Sequence, residues 1–195
     1  MAFLGATAQE PGRPFVLAGG KRVDVAPGSL PPAFPRGKLM APQAVSFKAA
    51  DGMDVPGQLF IAEAFAPRRP AVIFFHGGSR RQMLLGWHGM EYYHDTYAFN
   101  QYLASRGYLV LSVNSRSGIG YGMEFREALR YGATGASEFN DVLGAGRYLA
   151  SRPDVDPKRI GLWGGSYGGY LTALGPARAS DLFAAGVDLH GVHDW

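Results

Sequence analysis

The sequence predicts an α/β fold, with helices packed on both faces of a mostly parallel β-sheet. One observation behind this prediction is a series of short, continuously apolar runs, of which residues 71–75 and 108–113 are the clearest. Such runs are typical of strands that are covered on both faces. The other observation is that segments with helical periodicity separate these runs. Strands that alternate with helices favour right-handed βαβ units, and hence a three-layer architecture around a parallel sheet.

The N-terminal segment, residues 1–42, differs from the rest in composition. It holds seven of the thirteen prolines and six of the 28 glycines of the chain. Few of its residues are apolar enough to be buried, so we expect a linker or a peripheral extension. Two strands are then expected over residues 44–49 and 57–62. The turn signal Asp51-Gly52 lies between them.

The remainder of the chain is expected to contribute four buried strands and four helices. The predicted strands cover residues 71–75, 108–113, 159–163 and 184–189, and the predicted helices cover residues 97–106, 123–131, 137–151 and 169–177. Gly107 is expected to end the first helix, because glycine adopts the left-handed conformation common at that position. Ser137 is the expected N-cap of the third helix.

Composition argues against several kinds of partner. The chain has 195 residues, enough for one domain, and a net charge of +3. Its basic residues are scattered, so no nucleic-acid partner is expected. No apolar run approaches the roughly 18 residues that span a bilayer, and the N-terminus lacks the basic start of a signal peptide. We therefore expect no membrane partner and a soluble protein, either cytoplasmic or periplasmic. The sequence predicts no oligomeric state.

The sequence also shows no pattern typical of a metal or cofactor site. Cysteine is absent, and the spacing of His88, His94, His190 and His193 matches no known metal site. Residues 118–122 are rich in glycine, but they lack the spacing of a dinucleotide-binding loop and the lysine of a phosphate-binding loop. We expect neither a metal nor an organic cofactor.

The strongest functional signal is the run Gly164-Gly165-Ser166-Tyr167-Gly168, which matches G-x-S-x-G. It lies between a predicted strand and a predicted helix, as a nucleophile elbow does. We therefore expect Ser166 to be the nucleophile of a hydrolase. The backbone N–H of Tyr167 would help to stabilise an oxyanion. The alternative is a glycine-rich turn in which the serine is incidental.

A second signal follows the predicted strand at residues 71–75. His76-Gly77-Gly78 stands where the HGG loop of lipases and esterases supplies the other half of the oxyanion hole. Without side chains at Gly77 and Gly78, the backbone N–H groups of this loop can approach a substrate carbonyl closely. His76 precedes the nucleophile in the chain, so it is expected to shape the loop rather than act as the catalytic base.

Residues 161–170 resemble the active-site segment of the prolyl oligopeptidase family, most closely its dipeptidyl-peptidase and acylaminoacyl-peptidase branches. The similarity includes residues 76–78, 114–122 and 154–160, and it extends over residues 43–195. It implies an α/β-hydrolase peptidase domain, normally attached to a β-propeller. Residues 1–42 would then be the linker and exit from a propeller that this chain lacks. Residues 43–195 would be the N-terminal part of the peptidase domain.

The resemblance also implies roles for single residues. Ser166 takes the nucleophile's place, and Tyr167, Gly77 and Gly78 take the oxyanion-hole places. Val192 and Trp195, together with Tyr167, fall where dipeptidyl peptidases line the substrate pocket. Some branches have an oxyanion-binding tyrosine where this chain has His76, so backbone N–H groups would have to serve here. The implied activity is hydrolysis of short peptides through an acyl-enzyme on Ser166.

The triad of α/β-hydrolases follows the order Ser, then Asp or Glu, then His. At the usual size of βαβ units, the acid and the base would lie roughly 60–100 residues beyond Trp195. We therefore expect a partial α/β-hydrolase fold that lacks its C-terminal strands and helices and is inactive alone. Two other functions stay open, an esterase or lipase with the same elbow and a non-catalytic hydrolase-like module. The sequence does not separate dipeptidyl, acylaminoacyl and endo-oligopeptidase specificity.

Overall fold

The computed structural model describes residues 1–62 and 68–194. Within them the chain forms nine strands, four α-helices and a 3-10 turn at Arg36–Lys38. The strands are β1 (Ala2–Gly5), β2 (Arg13–Ala18), β3 (Lys21–Asp24), β4 (Gln43–Lys48), β5 (Asp54–Phe60), β6 (Arg69–Phe75), β7 (Leu109–Val113), β8 (Val155–Gly165) and β9 (Ala185–Leu189). The helices are α1 (Glu91–Ser105), α2 (Met123–Arg126), α3 (Glu138–Ala150) and α4 (Tyr167–Arg178).

Six strands form the main sheet in the order β4-β5-β7-β6-β8-β9. The strands β7, β6, β8 and β9 are parallel, while β4 and β5 join antiparallel at one side. The predicted α/β fold with a mostly parallel sheet is confirmed. Because β6 lies between β7 and β8, the segments that follow these three strands meet at one edge of the sheet.

Helices cover both faces of this sheet. On one face, Ile73 and Phe75 of β6 and Leu162 of β8 belong to a core that α3 and α4 complete. On the other face, Val110 packs with Tyr97 of α1. Alternate residues of each central strand thus enter opposite cores, which explains why these strands are continuously apolar. The sheet is the middle of three layers.

Several predicted helix boundaries were wrong. The helix α1 begins at Glu91 rather than at residue 97, because aromatic residues with weak helical periodicity form its first turns. The helix α2 ends at Arg126 rather than at residue 131, and Arg130 has a left-handed φ of 60° that a helix cannot contain. The helix α4 begins directly after Ser166, two residues earlier than predicted.

The first 42 residues contain three strands that were not predicted from the sequence. The strands β1, β2 and β3 form a separate antiparallel sheet. Gly19 and Gly20, with φ of 57° and 75°, form the two-residue loop between β2 and β3. Positive φ at both loop residues is typical of a hairpin turn, so this glycine pair was a usable signal. The assignment of the segment as a propeller exit stays a prediction.

Hydrogen bonds join the N-terminal segment to the first helix and the loop before it. Trp87 donates its backbone N–H to Thr7 at 3.1 Å, and the Tyr97 hydroxyl donates to the carbonyl of Ala8 at 2.8 Å. Gln101 binds both backbone polar groups of Met40, at 2.6 and 3.0 Å. The segment therefore lies against the α1 side of the main sheet.

An apolar trough of about 780 Å³ runs between α1 and the strands β6, β8 and β9. Its lining includes Phe99 and Leu103 of α1, Trp163 of β8, and Val187 and Leu189 of β9. Every residue of β9 is exposed, with Val187 at 56%. This face of the sheet is thus only partly covered.

Among the helices that the structure describes, none is long and apolar enough to cross a membrane.

Candidate active site

Ser166 lies on the tight turn between β8 and α4. Its φ of 57° and ψ of −122° are unusual for a residue with a side chain and indicate local strain. The turn is held by the backbone N–H of Ser166, which donates to the carbonyl of Leu189 at 3.0 Å and contacts Nδ1 of His190 at 3.2 Å. The Ser166 side chain is exposed. The predicted strand–turn–helix arrangement is therefore present.

Backbone contacts around the turn explain its glycines. A Cβ on Gly168 would lie 2.0 Å from the carbonyl oxygen of Phe75, at the end of β6. A Cβ on Gly164 would lie 2.5 Å from the carbonyl oxygen of Gly168. Both distances are far below van der Waals contact with atoms of the backbone. The elbow can lie against the end of β6 only if both positions lack a side chain.

The loop after β6 lies directly beside the nucleophile. A Cβ on Gly77 would lie 3.3 Å from Cβ of Ser166 and 2.8 Å from the carbonyl oxygen of Gly165. Gly78 has a left-handed φ of 45°. The Tyr93 hydroxyl donates to the carbonyl of Gly77 at 2.9 Å and fixes the loop from the side of α1. The structure thus brings together Ser166 and the loop predicted to form half of the oxyanion hole.

Tyr167, the other predicted oxyanion residue, is the first residue of α4. Backbone N–H groups at a helix N-terminus point out of the helix and favour negative charge. Its side chain is buried, and its hydroxyl donates to Oε1 of Glu138 at 2.7 Å and lies 2.9 Å from the carbonyl of Gly132. Burial and the charge of Glu138 raise the pKa of the Tyr167 phenol well above its ordinary value.

His76 is completely enclosed, with an exposed fraction of 1%. Burial lowers its pKa from 6.5 to about 4, so the ring is neutral at physiological pH. Its Nδ1 lies 3.2 Å from the carbonyl oxygen of Gly77, which assigns the proton of the ring to Nδ1. The ring thus contacts the glycine loop itself, and the loop-shaping role of His76 stays a prediction.

A buried ionic cluster beside the site was not predicted. Arg116, in the loop after β7, forms ion pairs with Asp141 of α3 at 2.6 Å and with Asp51 at 2.5 Å. Burial raises the pKa of Asp141 to about 6 against the effect of Arg116, and the carboxylate is still ionised at neutral pH. Burial by itself would lower the pKa of Arg116, because it disfavours the charged form. Asp51 and Asp141 outweigh this effect, and the pKa is raised.

The sequence contained a signal for this cluster. Glu138 and Asp141 share one face of α3 with the buried residues Val142, Ala145 and Leu149. Acidic residues at helical spacing within an apolar stripe indicate buried carboxylates, and buried carboxylates need partners. The sequence alone does not reveal which residues these partners are, because they come from distant segments.

The predicted pocket residues lie at the C-terminal end of the chain. Val192 follows β9 and is 43% exposed, while Trp195 lies outside the described residues. Leu189, the last residue of β9, pairs with Gly165 of the elbow. The segment after β9 therefore leaves the sheet at the edge where Ser166 lies. The pocket role of Val192 and Trp195 stays a prediction.

The two histidines after Ser166 have other partners. Nδ1 of His190 faces the backbone N–H of Ser166, and Nε2 of His193 lies 2.5 Å from Oδ2 of Asp188. In the part of the chain that the structure describes, no hydrogen bond joins the Ser166 hydroxyl to a histidine. Nor do residues 1–62 and 68–194 contain a group of three or more His, Cys, Asp or Glu side chains that could hold a metal ion.

Comparison with known proteins gives consistent matches. The sequence model of the prolyl oligopeptidase family matches residues 95–195, just over half of the chain. An uncharacterized peptidase of Bacillus subtilis, YuxL, is 32% identical over 160 residues, which are 80% of this chain and 23% of that protein. Human dipeptidyl peptidase 8 is 32% identical over 162 residues, which are 81% of this chain and 17% of that protein.

Solved structures match nearly the whole chain. A puromycin-hydrolyzing peptidase of Mycobacterium tuberculosis superposes with a TM-score of 0.83 and 26% identity, over 99% of this chain and 29% of the other. The chain thus spans less than a third of the length of this structure, and less than a quarter of the length of the two relatives.

The elbow geometry predicts different effects for two glycines near the site. Gly168→Ala places a methyl group against the backbone of β6 and is expected to destabilise the fold by about 3 kcal/mol or more. Gly161→Ala is the matched control on β8, since its Cβ would meet only the Ala185 carbonyl at 3.6 Å. Urea unfolding of the two variants and the parent measures this difference. Equal stability of both variants would contradict the close approach.

The burial of His76 predicts a pH dependence of stability. Its pKa is about 4 in the folded chain and near 6.5 in the unfolded chain. Its contribution is fully present above pH 6.5 and is lost as the pH falls towards 4, because the unfolded state takes up the proton first. The total loss is about 3 kcal/mol.

His76→Asn should remove this part of the acid sensitivity. The free energy of unfolding is measured by urea titration at pH 7 and pH 4.5, and the variant should lose less of it than the parent. The titration of Asp141 opposes that of His76, but it is common to both proteins and cancels in the comparison. Parallel losses in both proteins would show that His76 is not buried as described.

Proposed function

The chain belongs to the prolyl oligopeptidase family, and on this premise we propose that Ser166 is the nucleophile of a serine peptidase that hydrolyses short peptides through an acyl-enzyme. One observation carries the proposal. The Ser166 turn and the Gly77-Gly78 loop are in contact, with 3.3 Å between Cβ of Ser166 and a Cβ built on Gly77. A carbonyl attacked by Ser166 would therefore lie within reach of backbone N–H groups on both sides.

The chemistry follows from this arrangement. Oγ of Ser166 adds to the carbonyl carbon of the substrate, and its proton passes to a general base. The negative charge that develops on the carbonyl oxygen is stabilised by the N–H of Tyr167 and by those of the Gly77-Gly78 loop. The C–N bond then breaks, and the amine leaves with the proton. Water hydrolyses the ester on Ser166 and releases the second product.

Among the described residues, no histidine is hydrogen-bonded to the Ser166 hydroxyl as a general base would be. His76 is buried and neutral, His190 faces a backbone N–H, and His193 is paired with Asp188. A serine without its base retains only the contributions of the oxyanion hole and of substrate binding. We therefore propose that residues 1–195 alone do not turn over a peptide, and that a histidine and a carboxylate from elsewhere complete the triad.

Relatives of this chain support a peptide substrate. Their names include dipeptidyl peptidase 8, dipeptidyl aminopeptidase BIII and acylamino-acid-releasing enzyme 1. We propose that the pocket for the side chain next to the scissile bond is lined by Val192, by Trp195 and by the ring of Tyr167.

Replacement of the nucleophile tests this function in the protein made from its complete coding sequence. Ser166→Ala is expected to lower kcat on an alanyl-prolyl p-nitroanilide by about 10⁴-fold or more. Covalent labelling by a fluorophosphonate should disappear at the same time. Ser105→Ala, an exposed serine at the end of α1, is the control and should behave like the parent. Labelling that persists in Ser166→Ala would refute the assignment.

Substrate choice separates the proposed peptidase from an esterase. The same protein should cleave aminoacyl-proline, aminoacyl-alanine or acyl-aminoacyl amides, whereas an esterase would cleave only short acyl esters. Residues 1–195 alone should cleave neither class. Amide hydrolysis by residues 1–195 alone would show that the triad is already complete within them.

A further inference from the structure

The carboxylate of Glu138 is buried next to the elbow, at the start of α3. Its exposed fraction is 0%, and three hydrogen bonds converge on one oxygen, Oε1. The donors are the Tyr167 hydroxyl at 2.7 Å, the Ser117 hydroxyl at 3.0 Å and the backbone N–H of Gly132 at 3.2 Å. The other oxygen, Oε2, is buried and has no hydrogen-bond partner among the described residues.

A charged group in such a place requires an explanation. Burial of a carboxylate is costly even when it accepts hydrogen bonds, and a half-satisfied one costs more. Glu138 forms no ion pair in the part of the chain that the structure describes. An apolar residue of similar size would fill the same space without a charge. The presence of Glu138 is therefore better explained by the three groups that it holds in place than by a gain in stability.

These donors come from three separate parts of the site. Ser117 belongs to the loop after β7, and its backbone is in the left-handed region with a φ of 68°. Gly132 belongs to the segment before α3. Tyr167 follows the nucleophile directly, and its N–H is the proposed oxyanion donor. One oxygen atom thus links the elbow to two loops.

The position of Tyr167 depends on its hydrogen bond to Glu138. Ser166 has a strained backbone, so the turn is held in place by the residues around it. The Tyr167 side chain is held at its hydroxyl by Glu138 and by the carbonyl of Gly132. It is attached at Cα, the atom next to the backbone N–H. A rotation of this residue would turn that N–H away from the carbonyl oxygen of the substrate. Misplacement of a catalytic group by about 1 Å can cost roughly 100-fold in rate.

We propose that Glu138 is a positioning residue for the oxyanion hole: through Oε1 it fixes the Tyr167 side chain and thereby the direction of the Tyr167 N–H. This inference rests on the proposed function. The required property is an acceptor at Oε1, and the negative charge is not required. Glutamine at this position can present the same acceptor, while alanine cannot.

The experiment compares Glu138→Gln, Glu138→Ala, Tyr167→Phe and the double variant Glu138→Ala/Tyr167→Phe in the protein made from the complete coding sequence. Glu138→Ala and Tyr167→Phe should each lower kcat on the peptide anilide by about 10- to 100-fold, with KM within about threefold. Glu138→Gln should keep kcat within about threefold of the parent. The losses in the double variant should be less than additive, because each single substitution already removes the hydrogen bond between Tyr167 and Glu138.

A second readout does not depend on activity. Amide hydrogen exchange of the peptide that covers residues 163–171 should become faster in Glu138→Ala and Tyr167→Phe but not in Glu138→Gln. Glu124→Ala, an exposed acidic residue of α2, is the control and should match the parent in both readouts. If the parent shows no hydrolysis, the proposed function fails, while the exchange measurement still tests the tie between Glu138 and the elbow.

Three outcomes would overturn the inference. A folded Glu138→Ala variant with the kcat and the exchange rate of the parent would show that Glu138 positions nothing. Additive losses in the double variant would show that Glu138 and Tyr167 act independently. A Glu138→Gln variant as impaired as Glu138→Ala would show that the charge, rather than the acceptor, is required.

Discussion

The backbone of α4 approaches the end of β6 so closely at Gly168 that no side chain fits between them. This contact brings the residue before α4, Ser166, beside the loop that continues from β6. Because β6 is flanked by β7 and β8 in the sheet, the elbow and the Gly77-Gly78 loop leave neighbouring strands at the same edge. The geometry of the candidate site is thus set by strand order and by the absence of side chains at Gly164 and Gly168.

The loop after β7 stabilises this edge from the other side of β6. Asn114 binds both backbone polar groups of Met83, in the segment that continues from the Gly77-Gly78 loop, at 2.7 and 3.1 Å. Arg116 is held by Asp141, and Ser117 by Glu138, on successive turns of α3. Loss of one partner from a buried ion pair costs about 3–5 kcal/mol, although such pairs add little net stability. In this structure they link the loop after β7 to α3.

Much of this arrangement could be predicted from the sequence. The apolar strands, the strand–turn–helix context of Ser166 and the glycine loop after β6 all depend on local patterns. The start of α1 at Glu91 was missed, because its first turns are aromatic and lack clear periodicity. The N-terminal strands were missed as well, because they are only four to six residues long and lie among prolines and glycines. The Gly19-Gly20 turn was their one local signal.

The buried polar partners were the least predictable part. Arg116 meets Asp51 across 65 positions of the chain, and Tyr167 meets Glu138 across 29. The helical spacing of Glu138 and Asp141 indicates that carboxylates are buried, but the choice of partner depends on the tertiary fold. Residue types and spacing thus predicted which residue is the candidate nucleophile. The groups that hold it in place became visible only in the structure.

The central claim is that Ser166 carries the acyl group during peptide hydrolysis. It is tested most directly by mixing the protein made from the complete coding sequence with a slowly deacylating substrate, quenching in acid and analysing proteolytic peptides by mass spectrometry. The account predicts that the mass of the acyl group is added to the peptide containing Ser166, and that fragmentation places it on that serine. Turnover of the substrate with the acyl group on another residue, or with no acyl-enzyme at any quench time, would contradict the account.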